Sequence, residues 1–507
     1  MSRVLITCLA LGLLSSSTWA TSPQPKASAP VSADSLFQPT GLLTLNLPKG
    51  VALSLGIDFL TLGHVYNDAD FDPTPRFFDP DGQTQGQIAT FFRPTFRVGV
   101  ASRFALLWQM ELGWNAWSRN NSGNPNQFTP SNQPGIMLRH KELFASYRSG
   151  TTWLRAGYQH FSDPSRLFLD HWAGVFQLHL KTGAVETRVL VGQMPDSTYE
   201  GVSIGQDNFL TDSLVSGVTV TWRRGSYAMT GALYGLADWR AIDRPLFLGT
   251  ALLGVDYRGK TLSAWGHALL QFGTWNNSAL DGGDQSIFAW ALQVGLQHRV
   301  GAFHWGANVF ALSPDDAHDG NGIGAFFASG KNRSPSRILT EDETRDRYDN
   351  LDERIATAHG PFFLNRAGLM VFDAHAGYRV GRCYQLQGLV AAGLNLAPEN
   401  AMGGRFVGLE LGLMNTFPVW KHVSLFLNLQ AFIPGTGASV FVNDIDVTTP
   451  AAALGAREPA ANSPSSFTAA PRSPAELTTA LDLSSEGPAP AQKTHTRIAL
   501  PPSPRLR

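Results

Sequence analysis

The sequence has 507 residues, 43% of them hydrophobic and only 16% charged, with a formal net charge of −1. This balance provides no basic surface for nucleic acid, and after residue 20 the chain has no run of about 18 apolar residues that could form a transmembrane helix. The low charge, against about 25% in globular chains, together with 50 glycines and 31 phenylalanines, is typical of a β-barrel in which every second strand residue faces lipid.

The two ends of the chain differ in composition from its middle. Residues 1–20 have a basic start, an apolar stretch and a small-residue cleavage site, which together predict a signal peptide. Residues 21–39 form a Pro/Ala/Ser-rich linker, and we expect the Pro/Ala-rich tail 448–507 to be disordered because it has too few apolar side chains to pack. The barrel is predicted between them, over residues 40–447. Removal of the signal peptide leaves Cys383 as the remaining cysteine, so no intrachain disulfide is expected.

Hydrophobic side chains recur with a period of two through this middle region. In segment 103–117, Phe104 and Leu106 share one face with further large apolar groups, whereas Gln109 and Glu111 lie on the other face. A helix would mix the two sets, and a strand separates them. Comparable segments run about 10–15 residues, and a tilted strand needs about 9–11 residues to cross a bilayer.

Very short and longer polar connections alternate along the middle region. This alternation is typical of an up-and-down barrel with tight periplasmic turns and long extracellular loops. A first strand near 50–64 leads to 17 strands by Ile433, and an eighteenth at 438–447 would return the chain to the periplasm. We therefore predict an all-β, transmembrane antiparallel up-and-down β-barrel of about 18 strands, with 16 as the alternative, in the outer membrane of a Gram-negative bacterium. A soluble sandwich or propeller would have shorter strands. The short turns are predicted at 101–103, 149–151, 181–184, 223–226, 258–260, 300–302, 380–382 and 418–421.

Three stretches resemble the alginate-export family of bacterial outer-membrane β-barrel porins. They are 139–193, with a Leu-Arg-x-Gly strand followed by an Asp-containing loop, the aromatic segment and polar loop of 325–360, and 407–435, which ends in Phe-Ile-Pro-Gly. Lys331 departs from the family, which usually carries Asp there, and about 60 residues follow the last strand. The resemblance implies an 18-stranded secretion porin that passes an anionic exopolysaccharide and has periplasmic secretion-complex partners.

Basic residues on the polar strand faces are the candidates for a substrate path. Arginine suits an anionic cargo because its planar guanidinium pairs with carboxylates and keeps its charge. The alternative is that these cations pair with carboxylates such as Glu142 and Glu410 across the wall and stiffen the barrel. The predicted lumen residues are Arg93, Arg97, Arg155, Lys181, Arg188, Arg223 and Arg379.

The sequence gives little indication of metal binding or catalysis. Asp68, Asp70 and Asp72 lie in an acidic loop whose hard oxygen ligands could hold Ca²⁺, although acidic surface loops are common. No other cofactor is expected. The histidines are scattered singly without a GxSxG or HExxH motif, so we do not expect an enzyme.

The sequence thus favours an outer-membrane channel embedded in lipid. The first hypothesis is polysaccharide transport of the alginate-export type through a modestly cationic lumen. The alternative is a general or substrate-specific diffusion porin for small solutes. Whether the long connection 314–364 enters the pore is left open by the sequence.

Overall fold

The structure of the chain is a computed structural model. It describes residues 43–66, 85–101, 103–114, 136–194, 213–238, 245–276, 283–315, 322–328, 334–336, 363–364, 366–381, 383–401, 403–420 and 423–438. Within these ranges, no helix has the length and apolar character needed to cross a membrane.

The described residues are almost entirely β-strand. The first eleven strands are β1 Leu43–Leu47, β2 Val51–Tyr66, β3 Gln85–Val100, β4 Phe104–Trp114, β5 Ile136–Ser149, β6 Thr152–Ser162, β7 Asp170–Thr182, β8 Val185–Met194, β9 Ser213–Arg224, β10 Tyr227–Asp238 and β11 Leu246–Arg258. They are followed by β12 Leu262–Trp275, β13 Gln285–Val300, β14 Phe303–Leu312, β15 Gly322–Ile323, β16 Phe327–Ala328, β17 Phe363–Leu364, β18 Leu369–Val380, β19 Tyr384–Leu394, β20 Phe406–Trp420 and β21 Val423–Pro434. Short 3₁₀ helices span Pro48–Gly50, Pro398–Ala401 and Thr436–Ala438.

Each long strand pairs antiparallel with its neighbours in sequence. The pairings join β1 through β14, continue from β14 to β18, and end with β20 on β21 in one 19-stranded sheet that also contains β15. From β2 to β21 the long strands number 17, which confirms the predicted count up to Ile433. Of the predicted eighteenth strand 438–447, Ala438 lies in a 3₁₀ helix and the remainder falls outside the described residues.

One end of the barrel carries tight turns, as predicted, and is called here the short-turn end. The β5–β6 turn is an example, in which Gly150 has a φ of 58°. Residues with a side chain rarely adopt this backbone conformation, so glycine at this position removes the steric cost of reversing the chain direction. The opposite end, with the long connections, is called the long-loop end.

Along the strands, side chains alternate between an exposed apolar face and a covered face. On β11, Phe247, Leu253 and Val255 are exposed, whereas Leu248 and Leu252 are buried. A large apolar side chain gains about 1.5–3 kcal/mol on leaving water. A wall with exposed apolar groups on nearly every strand is therefore stable against hydrocarbon, and the chain forms the transmembrane antiparallel up-and-down β-barrel that the sequence predicted.

Two connections at the long-loop end fold against the inner face. Residues 163–169, between β6 and β7, are called the first inward segment, and residues 322–328, between β14 and β18, the second inward segment. Phe168 of the first and Phe327 of the second belong to one buried apolar cluster that includes wall residues of β10 to β14. The described part of the 314–364 connection thus lies inside the barrel.

The inward segments cover the inner face unevenly. Thr250, Gln271 and Gln293, on β11 to β13, are fully buried, whereas Arg93 and Arg97 on β3 remain partly exposed. The accessible part of the lumen therefore runs along β3 and its neighbours, beside a covered wall.

Candidate functional site

The accessible side of the lumen is lined by arginines from three strands. Arg97 lies on β3, where the adjacent Phe96 faces outward, and Arg188 lies on β8, where Val189 faces outward. Arg155 lies between them on β6. All three occupy inward-facing positions because the strand period of two separates them from the lipid-facing residues.

Aromatic rings fix the guanidinium of Arg155. Its central carbon lies 4.6 Å from the ring centroid of Phe144 and 4.4 Å from that of Trp153. The ring centroid of His179 lies 4.4 Å from that of Trp153. Cation–π contacts of this kind hold a guanidinium plane in one orientation. Among the described residues, the Nε atom of Arg155 is buried without a hydrogen-bond partner.

Gly157 adjusts the strand that carries Arg155. Its φ is 129°, and a Cβ at this position would collide with the carbonyl oxygen of Leu143 on β5. Only glycine fits so close to the neighbouring backbone. Gly157 therefore pairs with Phe144 of β5 in a backbone conformation that other residues rarely adopt.

Positive charge exceeds negative charge in this group. Glu142 on β5 interacts electrostatically with both Arg97 and Arg155, and Arg155 also experiences the like charge of Arg188. Arg93, further along β3, interacts with Asp58 on β2. We call Arg97, Arg155, Arg188 and Glu142 the cationic group.

Arg188 also connects the cationic group to the end of β6, from which the first inward segment starts. One of its terminal nitrogens donates a hydrogen bond to the carbonyl oxygen of Ser162, 3.0 Å away. Its Nε is buried and has no hydrogen-bond partner among the described residues. Arg188 therefore holds the last residue of β6 in place next to the first inward segment.

The three other predicted cations lie at the short-turn end. Arg223 pairs with Glu186 at 3.6 Å, which is the wall-pairing alternative considered from the sequence. Arg379 is exposed and donates to the side-chain oxygen of Gln385 at 3.3 Å. Lys181 is exposed next to the β7–β8 turn. The structure thus brings Arg97, Arg155 and Arg188 together and leaves these three at the rim.

The first inward segment is organised by one buried carboxylate. Asp163 Oδ1 accepts hydrogen bonds from the backbone N–H and the hydroxyl of Ser165, at 2.7 and 2.5 Å, and from the N–H of Arg166 at 3.0 Å. Its Oδ2 accepts from the N–H groups of Phe168 and Leu169, at 3.1 and 2.6 Å. The carboxylate thereby satisfies backbone donors that the loop would otherwise bury unpaired.

Sequence reasoning did not single out Asp163, Phe144 or Trp153 as functional residues. The Asp-containing loop was noticed only as part of the family resemblance. Trp153 lies two residues before Arg155 on the same face of β6, a spacing that the sequence shows. The contact of Phe144 with Arg155 depends on the register between β5 and β6, which residue spacing does not specify.

The calcium hypothesis is not tested by the structure. Asp68, Asp70 and Asp72 fall outside the described residues. In the described ranges, no group of three or more His, Cys, Asp or Glu residues is placed to hold a metal ion. Asp315, which follows β14, accepts from Arg366 Nε at 2.9 Å and from the Gly324 N–H at 2.8 Å.

The fold and the inner wall thus define a transmembrane β-barrel with a partly filled, arginine-lined lumen. No protein-family model matches the chain, and no curated protein sequence matches it, so the predicted membership of the alginate-export family gains no support. Similar solved structures include Pseudomonas aeruginosa OccK5 (OpdH), with 10% identity, coverage of 78% of this chain and 95% of that chain, and a TM-score of 0.49. A BenF-like porin from Pseudomonas fluorescens Pf-5 has 9% identity and a TM-score of 0.49, with coverage of 76% of this chain and 93% of that chain. Acinetobacter baumannii OccAB3 has 10% identity and a TM-score of 0.47, with coverage of 76% of this chain and 94% of that chain.

Proposed function

We propose that the protein is a passive diffusion channel of the bacterial outer membrane for small anionic solutes. The observation that carries this proposal is the cationic group on the accessible side of the lumen. It contains three guanidinium groups and one carboxylate, Glu142, which interacts with Arg97 and Arg155. An anion entering this region would complete the charge balance. The protein would act by selective passage and not as an enzyme.

The cationic group suits weak and repeated binding. A guanidinium can form two parallel hydrogen bonds with a carboxylate or phosphate. The aromatic contacts hold Arg155 in place, so little side-chain freedom is lost when an anion arrives. Passage also requires that each site releases its ion, and neighbouring arginines allow an anion to move from one to the next.

The inward segments favour small solutes over a polymer. Both lie inside the barrel at the long-loop end, and their apolar residues are buried against the wall. A polysaccharide exporter needs a passage that accommodates sugar rings along its whole length. We therefore favour the diffusion porin over alginate export, and no secretion-complex partner is needed.

Liposome swelling with purified protein would test this proposal. We expect swelling in isotonic solutions of sodium acetate or sodium gluconate and exclusion of long polyuronate chains. Passage of polyuronate into the liposomes would favour export of a polymer instead. Equal swelling rates for anions and cations of matched size would argue against anion preference.

A further inference from the structure

The second inward segment is attached to the wall through one buried side chain of β12. The side-chain nitrogen of Gln271 donates to the carbonyl oxygen of Phe327 at 2.8 Å, and the Phe327 N–H donates to the Gln271 side-chain oxygen at 2.8 Å. Gln271 is 0% exposed. The amide therefore pairs with the backbone of Phe327 as a neighbouring strand would.

Further contacts hold the same segment on both sides of this pair. Gly322 and Ile323 form β15, which pairs in parallel with Ser286 and Ile287 of β13. The ring of Phe327 meets that of Trp275 at a centroid distance of 6.0 Å in an edge-on arrangement.

Ser313, just after β14, anchors the start of the segment. Its hydroxyl donates to the carbonyl oxygen of Gly324 at 2.6 Å and accepts from the Trp290 N–H at 2.9 Å. The Gly324 N–H donates to Asp315 at 2.8 Å. Both polar backbone groups of Gly324 are thus paired.

We propose that Gln271 is the positioning residue that makes the second inward segment a fixed part of the channel wall and not a moving gate. The proposal rests on the channel function proposed above. Local opening would expose Phe326 and Phe327 to the lumen and would leave the backbone N–H and carbonyl of Phe327 without their partners. Such buried and fully paired segments open rarely. We therefore expect the single-channel current of the open protein to stay at one steady level.

Thiol accessibility tests the attachment without relying on conduction. The probe is Ala325→Cys, at a fully buried position of the segment, in the full-length protein with Cys383→Ser, because Cys383 is exposed and would react. We expect slow labelling by a water-soluble maleimide. Gln271→Leu should accelerate labelling by about thirtyfold, the factor expected from losing two buried hydrogen bonds.

A matched control and a second variant distinguish a specific effect of Gln271 from general destabilisation of the barrel. Gln430→Leu replaces a similarly buried inner-wall glutamine on β21 that, in the described part of the chain, makes no hydrogen bond to the segment, and labelling should stay slow. Gln271→Asn keeps the amide but shortens the side chain, so we expect a labelling rate between those of the wild type and Gln271→Leu. This variant provides the test if Gln271→Leu does not fold. Unchanged labelling in both Gln271 variants would overturn the proposal.

Single-channel recording gives the functional counterpart. Gln271→Leu should convert the steady open level into a fluctuating one without changing ion selectivity. Linking β13 to β15 by Ser286→Cys and Gly322→Cys, which pair in register, should restore the steady level on oxidation and lose it on reduction. A steady current in Gln271→Leu would contradict this inference. A cation-selective wild type would instead contradict the proposed function and leave the labelling result valid.

Discussion

Arg155 combines features that rarely occur together in one side chain. Its guanidinium is held between two aromatic rings, lies near the like charge of Arg188, and has one buried nitrogen without a hydrogen-bond partner among the described residues. Packing that only stabilised the wall would place an apolar residue here, because a buried cation is costly to desolvate. The arrangement is better explained by contact with a passing anion.

Replacing Arg155 therefore tests the substrate path at the level of one residue. Arg155→Gln should lower chloride permeability relative to potassium about tenfold. A unit charge about 6 Å from an ion in a water-like medium attracts chloride by about 0.7 kcal/mol and repels potassium by about the same amount. Permeability ratios from reversal potentials measure this. Arg379→Gln, at the exposed rim, is the matched control and should change the ratio much less. Equal effects of the two substitutions would contradict the assignment.

At the scale of elements, the two inward segments depend on single buried polar side chains. Asp163→Asn should destabilise the first inward segment, since an amide nitrogen cannot accept the N–H groups that one carboxylate oxygen now accepts. A loss of about 2–3 kcal/mol in the free energy of unfolding is expected. Urea unfolding of the protein in lipid vesicles would measure it.

The control for Asp163 is Ser162→Ala. This change keeps the backbone carbonyl that accepts from Arg188 and should leave the unfolding free energy nearly unchanged. If Asp163→Asn were as stable as the wild type, the carboxylate would not organise the segment.

The lipid-facing wall is testable strand by strand. Leu253 is 73% exposed near the middle of β11, whereas Val300 is exposed at the short-turn end of β13. Leu253→Arg should cost about 2–4 kcal/mol and Val300→Arg about 0–1 kcal/mol, because the cost of a cation depends on its depth in the bilayer. Unfolding in vesicles measures both. Equal costs would argue against a bilayer centred on Leu253.

The strands were predictable from sequence, and the inward segments were not. The period of two placed a strand at 103–117, and the structure has Phe104–Trp114. Alternation works because each strand has one apolar face toward lipid. The pairing of Gln271 with Phe327 joins residues 56 positions apart, and no local pattern encodes such a contact.

The same limit applies to the candidate site. Inward orientation of Arg97, Arg155 and Arg188 follows from the strand pattern, but their convergence depends on register between strands. The pairing of Arg223 with Glu186 likewise requires β8 and β9 to lie side by side. Sequence alone therefore proposed a longer set of lumen cations than the structure brings together.

At the scale of the whole molecule, the sequence predicts that the barrel ends by residue 447 and that the tail after it is disordered. A chain that ends at residue 447 should insert into membranes and show the heat-dependent shift in gel mobility of a folded barrel. A chain that ends at residue 437 should not, because it lacks the predicted last strand. Folding of the shorter chain would show that 438–447 is not needed for the barrel.

The net charge of the chain is near zero, but its charged groups are unevenly distributed. The outer wall is apolar, the covered side of the lumen holds buried polar groups such as Asp373, and the accessible side carries the cationic group. We therefore expect ion preference to follow the local field of Arg97, Arg155 and Arg188 and not the overall charge of −1.

The most direct measurement of this account is the reversal potential of the purified full-length protein in a planar bilayer under a KCl gradient. The cationic group predicts a potential with the sign of chloride selectivity, which decreases as salt screens the arginines. A potential with the sign of potassium selectivity, or a protein that inserts but does not conduct, would contradict an anion-selective channel.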